Sequence, residues 1–363
     1  MYRAIVIFIF FLFNTIFLQT ALAAQPTINN MIFFGDSLSD IGNNTWILLN
    51  NNQGTPVTNP NDQNHKYIWV NYLVDQKLKN PVYPSSNFNL NPLSDNISYA
   101  YASADTSNQY FNADWPQNDP PLPFFNPNCT RPGVIKDAAG SITSTCVPGL
   151  QKQVDIYLNQ VRFKPSLNTV FFIWAGANDL LNYYTAYMSH SIYKKTFIER
   201  FSLPSENELG ILEQQTVNNI NAAKSKLMDA GVSSKMIYIL NLPDLSRTPA
   251  VRANNSWKLK IFYGKKKLES SLSRMTIDFN QKLQFQHDEA QYIIPVLHYV
   301  PIWNWFDNIV SNPKKYNLSY ISESCVAQNA MPACKGYIFY NEKHPTTYVN
   351  RIIADNILSS LMV

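Results

Sequence analysis

The chain has 363 residues, 45% of them hydrophobic and 15% charged, with a formal net charge of +4. That is enough apolar material for one large domain or two small ones. The charge is small and no basic run is dense, which excludes a nucleic-acid binder; Lys265-Lys266-Lys267 reads as the solvated start of a helix.

In chain order, the first element is a leader. Arg3 precedes the apolar run Ala4 to Phe13, and Ala21-Leu22-Ala23-Ala24 closes it with a small-x-small pattern. This predicts a secretory signal peptide over residues 1–24, cut near Ala23 or Ala24, and an exported, soluble chain 25–363. No later stretch is long and apolar enough to span a bilayer.

Met31 to Phe34 then reads as a buried strand that ends at Gly35, where the backbone can bend sharply. Ser37 stands where this strand hands over to a helix expected from Ile41 to Asn50. Its hydroxyl projects from the carboxyl edge of a sheet, where open α/β proteins keep their ligands. A strand followed by an N-capping serine has the same local pattern, so the rest of the chain must decide. Ile68 to Lys79 spaces Trp69, Tyr72 and Leu73 as a helix does, and Ile97 to Ala102 is a short strand running into the small residues Ser103-Ala104. Small residues let a backbone N–H approach a ligand closely.

Phe111 to Pro148 breaks the rhythm with seven prolines, which excludes a regular helix or a central strand. An irregular insertion at about residues 107–148 is expected: a lid or binding loop that presents Trp115, Phe124 and Phe125, a disordered segment, or a disulfide-stapled excursion with no function of its own. The four cysteines fall into two local pairs, Cys129 with Cys146 and Cys325 with Cys334, and local pairing is the simplest of the three connectivities. Neither pair has metal-ligand spacing and no histidine is close, so no metal is expected.

Helical spacing resumes from Leu150 to Val161. Thr169 to Ala175 is a continuous apolar run and reads as a central strand, followed at once by Gly176-Ala177-Asn178-Asp179. That puts Asn178 on the same sheet edge as Ser37, where its side-chain NH2 can stabilise an oxyanion; taken alone, the motif reads better as a glycine turn with an asparagine cap. Ile211 to Leu227 is expected to be helical, Met236 to Leu242 a strand, Lys267 to Gln286 helical, Tyr292 to His298 a strand, and Val349 to Leu361 a final helix. His344-Pro345-Thr346 precedes that helix, with Pro345 suited to its first turn and His344 placed to act as a general base. Strands alternating with helices imply right-handed crossovers and a parallel sheet covered on both faces.

The order of these pieces resembles the GDSL, or SGNH, family of lipases and esterases: Gly-Asp-Ser-Leu after the first strand, a small-residue turn, Gly-x-Asn-Asp, then His-Pro-Thr. The likeness runs through nearly the whole chain after the leader, and Asn241-Leu242-Pro243-Asp244-Leu245 followed by Thr248-Pro249 also looks like a family segment. The cysteine pair shortly before the terminal histidine is similar to the secreted bacterial phospholipase and glycerophospholipid–cholesterol acyltransferase branch.

The resemblance implies a three-layer α/β/α sandwich with a parallel sheet of about five strands, and one hydrolase domain carrying the insertion. It implies an ester hydrolase working through an acyl-serine without metal or organic cofactor. Ser37 matches the nucleophile and His344 the base, with Asn178 and the backbone N–H groups of Ser37 and Ser103 as oxyanion donors. The family usually has glycine where this chain has Ser103, and aspartate three residues before the histidine, where this chain has Asn341. Asn341 therefore stands in the triad position, with Glu342 and Asp307 as carboxylates that can replace it. The expected partners are a lipid ester, phospholipid or lysophospholipid first, and transient contact with a membrane surface. A carbohydrate O-deacetylase on the same fold, or a secreted binding protein with impaired catalysis, are the alternatives.

Overall fold

The computed structural model describes residues 27–44, 67–86, 89–112, 129, 131–136, 142–182, 206–252, 265–293, 298–331 and 333–361. The expected leader, the expected helix beyond Asn44 and the aromatic residues Trp115, Phe124 and Phe125 lie outside them.

In chain order the described strands are β1 (Asn30–Gly35), β2 (Val82–Pro84), β3 (Asn96–Ser98), β4 (Tyr110–Asn112), β5 (Gly133–Lys136), β6 (Ile142–Pro148), β7 (Thr169–Trp174), β8 (Ile237–Leu240), β9 (His298–Val300), β10 (Tyr320–Ser324) and β11 (Tyr337–Phe339). The main helices are α1 (Trp69–Leu78), α2 (Leu150–Gln160), α3 (Glu206–Asp229), α4 (Lys265–Ile293), α5 (Ile302–Ser311) and α6 (Thr347–Ser360). Six strands form one parallel sheet in the order β2-β3-β1-β7-β8-β9.

Helices cover both faces of this sheet, and side-chain alternation along β1 shows how. Phe33 turns to one face and meets Trp69 of α1 edge-on, with ring centroids 5.4 Å apart. Phe34 turns to the other and meets Tyr157 of α2 at 5.9 Å. A strand buried on both faces cannot alternate polar with apolar residues, which is why β1 and β7 read as continuous apolar runs. The α1 and α6 helices pack together on the first face, while α2, α3 and α4 pack in sequence on the second.

The parallel α/β/α architecture is the one expected, with six strands in the sheet. The sixth, β2, is three residues long and sits at the edge, where the missing N–H of Pro84 removes no bond that the sheet needs. One strand lies elsewhere than expected. Helix α4 continues through Ile293, and the strand begins at His298 rather than Tyr292. Leu272, Met275, Phe279 and Leu283 are buried at helical spacing along α4, and that packing outweighs the β-branched, aromatic character of residues 292–294.

The segment expected to be an irregular insertion is also less irregular than expected. Its described part holds a three-stranded antiparallel sheet in the order β4-β6-β5. The Cys129–Cys146 disulfide ties β6 to the stretch that leads into β5, and Cys325–Cys334 links the end of β10 to the approach to β11. Among the described residues no helix is long and apolar enough to cross a membrane.

From β1 the chain runs to β2 at the sheet edge, comes back to β3 beside β1, and then crosses to β7 on the other side of β1. The carboxyl ends of β1 and β7 therefore flank the point where strand order reverses, the usual place for a ligand crevice in such sheets.

Candidate active site

Ser37 owes its position to the turn that follows β1. Gly35 has φ +148°, and a Cβ there would lie 2.0 Å from the carbonyl oxygen of Trp174. Only glycine lets β1 and β7 end so close together. The side chain of Gln153 from α2 grips Gly35, accepting from its N–H at 2.9 Å and donating to its carbonyl at 2.8 Å. Asp36 then closes the turn: its Oδ1 accepts from the Leu38 N–H at 3.0 Å and its carbonyl from the Ser39 N–H at 3.0 Å. Ser37 is left half-buried at the sheet edge.

His344 arrives from 307 residues away, and its Nε2 lies 2.7 Å from Ser37 Oγ. The loop that carries it hangs from β11. Tyr340 N–H donates to the His344 carbonyl at 2.9 Å, and Thr346 N–H to that of Ile338 at 2.8 Å. Thr346 also caps α6, accepting from the Val349 N–H. Behind the imidazole, Nδ1 lies 3.0 Å from Asn341 Oδ1. The same oxygen accepts from the backbone N–H groups of Lys343 and His344, both at 2.9 Å.

Those two N–H groups can only donate, so the amide atom facing them must be the oxygen. It follows that His344 Nδ1 carries the proton and Nε2 presents a lone pair to the Ser37 hydroxyl. Asn341 therefore occupies the position where a carboxylate would orient the ring. Asp307 instead faces Arg247, 4.0 Å from Nη2, and Glu342 is exposed.

Asn178 sits on the first turn after β7. One of its amide hydrogens goes to the Ala104 carbonyl at 2.9 Å. Asp179 continues the tie, its Oδ1 accepting from the Thr106 hydroxyl at 2.7 Å and the Thr106 N–H at 3.2 Å. The small-residue segment is thus fastened to the Asn178 turn. Ser103 is the third residue of a turn closed by the Ala104 N–H to Tyr101 carbonyl bond at 3.1 Å, and its φ is +68°. A positive φ at that position of a type II turn is what glycine supplies without strain. Serine adopts it at a cost of about 1 kcal/mol.

Two residues that sequence reasoning passed over hold this segment against the Ser37 turn. Asp40 Oδ2 accepts from the Ala102 N–H at 2.8 Å, while the Asn43 amide donates to the Ser98 and Ala100 carbonyls, each at 2.8 Å. Their only sequence signal was an unusual density of Asp and Asn after Ser37. That pattern fits side chains bonding to backbone as well as it fits a helix start. The site thus gathers Ser37, His344 and Asn341 on one side, with Asn178 and Ser103 joined through the 104–106 segment. If the free hydrogen of the Asn178 amide serves a developing oxyanion, Asn178→Ala should lower kcat by about 10² with KM nearly unchanged. Steady-state kinetics that show a change in KM alone would assign Asn178 to ground-state binding.

Burial pushes the Asp36 carboxyl up to about 7 from 3.8, and its Oδ2 has no hydrogen-bond partner. Asp179 is likewise raised by burial, with Asp105 nearby adding to the effect. For Asp36 the folded state holds a proton that the unfolded chain loses above pH 3.8. Its contribution to stability is therefore greatest below that pH and declines as pH rises to about 7. Asp36→Asn keeps the acceptor for Leu38 and removes the titration. Denaturant unfolding should find the variant gaining on the wild type between pH 4 and pH 7; parallel pH profiles would show that Asp36 does not titrate in that window.

An apolar crevice opens at Ser37, Asn178 and His344 and is walled by Leu38, Leu181 and Leu245. Among the described residues no group of His, Cys, Asp and Glu could hold a metal ion.

A family profile described as "GDSL-like Lipase/Acylhydrolase" matches residues 31–357. The chain is also similar to "Thermolabile hemolysin" of Vibrio parahaemolyticus, at 22% identity over 376 residues, covering 96% of this chain and 67% of that protein.

Proposed function

The chain belongs to the GDSL-like lipase/acylhydrolase family of ester-cleaving hydrolases, and from that premise we propose that it is an exported hydrolase of lipid carboxylic esters acting through an acyl-Ser37 intermediate. The observation that carries the reading is the 2.7 Å approach of His344 Nε2 to Ser37 Oγ at the mouth of an apolar crevice. Ser37 Oγ attacks the ester carbonyl while its proton passes to His344 Nε2. The oxygen of the tetrahedral intermediate is held by the Asn178 amide and the N–H groups of Ser37 and Ser103. The ester C–O bond then breaks, and the departing alcohol takes the proton from His344. Water repeats the sequence on the acyl-enzyme and releases the acid. Transfer of the acyl group to a sterol or another alcohol uses the same intermediate.

The leader at residues 1–24 and the two disulfides support export. The apolar walls of the crevice favour lipid esters over a carbohydrate O-deacetylase, which needs a small polar acyl site. Phospholipid and lysophospholipid remain the first substrates to try. The test is hydrolysis of p-nitrophenyl esters from acetate to palmitate, followed by lysophosphatidylcholine against phosphatidylcholine. Activity confined to acetate would favour the deacetylase, and none on any ester would leave a binding protein.

A further inference from the structure

We propose that the acyl chain of the substrate runs inward, between the sheet and helices α5 and α6, and that Ile353 sets the chain length the enzyme prefers. The inference rests on the reading of the protein as a lipid ester hydrolase and adds where the chain goes.

The residues at the mouth of the crevice, Ser37, Asn178 and His344, are half-buried. Further in, the walls are Trp174 of β7, Ile302 and Phe306 of α5, Phe339 of β11 and Ile353 of α6, none more than 5% exposed. Trp174 packs edge-on against Trp69 of α1 with ring centroids 5.6 Å apart, so it lies on the sheet face that α1 and α6 cover. The crevice therefore descends beneath the last helix instead of running over the surface. Counted out to its open mouth, solvent space included, it measures about 660 Å³, of which about 50 Å³ is wide enough for the centre of a water-sized sphere.

Two features separate this space from loosely packed core. It opens directly onto the nucleophile. Trp174, which lines it, also keeps a buried indole N–H without a partner, although a buried indole usually finds one. The walls come from four elements that also build the core, so the space is shaped before any ligand arrives. The chemistry of these walls suits an alkyl chain, since each methylene moved from water into them should improve binding about fourfold. Ile353 lies on the buried stripe of α6, between Val349 and Ile357. It is the residue of α6 that lines the crevice, so its size bears on the room beyond the mouth.

The test compares kcat/KM for p-nitrophenyl decanoate and butanoate in the wild type, Ile353→Ala and Ile353→Phe. The decanoate-to-butanoate ratio should rise about tenfold in Ile353→Ala and fall about tenfold in Ile353→Phe. Thermal unfolding checks that each variant is folded. Should the larger side chain prevent folding, n-alkyl boronic acids from butyl to decyl, used as competitive inhibitors of the wild type, decide the matter. Their affinity should climb with each methylene and then level off as the crevice fills. Affinity independent of chain length, or a ratio that moves in neither variant, would overturn the inference while leaving the hydrolase reading intact. A wild type inert towards every ester would overturn both.

Discussion

Replacing Ser37 by alanine is expected to lower kcat on a short p-nitrophenyl ester by about 10⁴ to 10⁶ and to leave the fold unchanged. Loss of the serine nucleophile from a full triad costs about 10⁶, and the lower figure allows for a slower starting enzyme with Asn341 in place of the carboxylate. The side chain is half-buried and only shrinks; what is lost structurally is the 2.7 Å contact with His344, about 1 kcal/mol for an ordinary hydrogen bond. Gly35, Asp36 and Gln153, which shape the turn, are untouched. The variant should therefore unfold within a few degrees of the wild type and lose labelling by a fluorophosphonate. Retention of about 1% or more of the wild-type rate is far above what a triad leaves without its nucleophile. It would show that another group attacks the ester.

Asn341 should be the second most sensitive position. In a serine protease, asparagine in place of the triad aspartate lowers kcat by about 10⁴, because the histidine takes the wrong tautomer. Here the local backbone prevents that outcome. The N–H groups of Lys343 and His344 both point at Asn341 Oδ1, which holds the oxygen, rather than the NH2, towards His344 Nδ1. The correct tautomer is kept and only the negative charge is missing.

Two opposite results follow for kcat. Asn341→Ala leaves the Nδ1 proton without an acceptor and the ring free to turn, and kcat should fall about 10³, somewhat less than for removal of a charged orienter. Asn341→Asp keeps the three donors and adds the charge that stabilises the imidazolium. A charged acceptor strengthens a hydrogen bond by about 1 kcal/mol, so kcat should rise several-fold to tenfold. The acid limb of the pH–rate profile should also move to higher pH, because a carboxylate beside the imidazole raises its pKa. If Asn341→Asp instead loses activity, the neutral amide is itself required. If Asn341→Ala is as fast as the wild type, the triad position is idle, and Glu342 or Asp307 must be reconsidered.

Much of the fold was legible because the burial that shapes it is local. β1 and β7 are covered on both faces, so each appears as an uninterrupted apolar run, and helices α2 and α6 show their buried stripes at a spacing of three and four. The misjudged elements are those whose state depends on neighbours. The continuation of α4 to Ile293 depends on packing along its earlier turns, and the edge strand β2 is too short to carry a pattern of its own. The disulfide-bonded insertion read as irregular because its prolines hid the pairing of β4, β5 and β6.

The candidate site residues divide the same way. Sequence named Ser37, Asn178 and His344 through the order of their motifs, which resembles the family's, while each turn by itself also fitted an ordinary cap. It could say that Asn341 stands in place of an acidic residue, but not which amide atom faces His344. That orientation is set by where two backbone N–H groups point once the loop has folded. The meeting of Ser37 with a histidine 307 residues away, the clamp of Asp40 and Asn43 on Ser98 at the end of β3 and on Ala100 and Ala102 beyond it, and the crevice walled by β7, α5, β11 and α6 were decided by the tertiary structure alone. Sequence encodes the local preferences that make each element. Which elements then become neighbours is set by the strand order and the crossovers, and a site assembled from several sheet edges and helices exists only after those have closed.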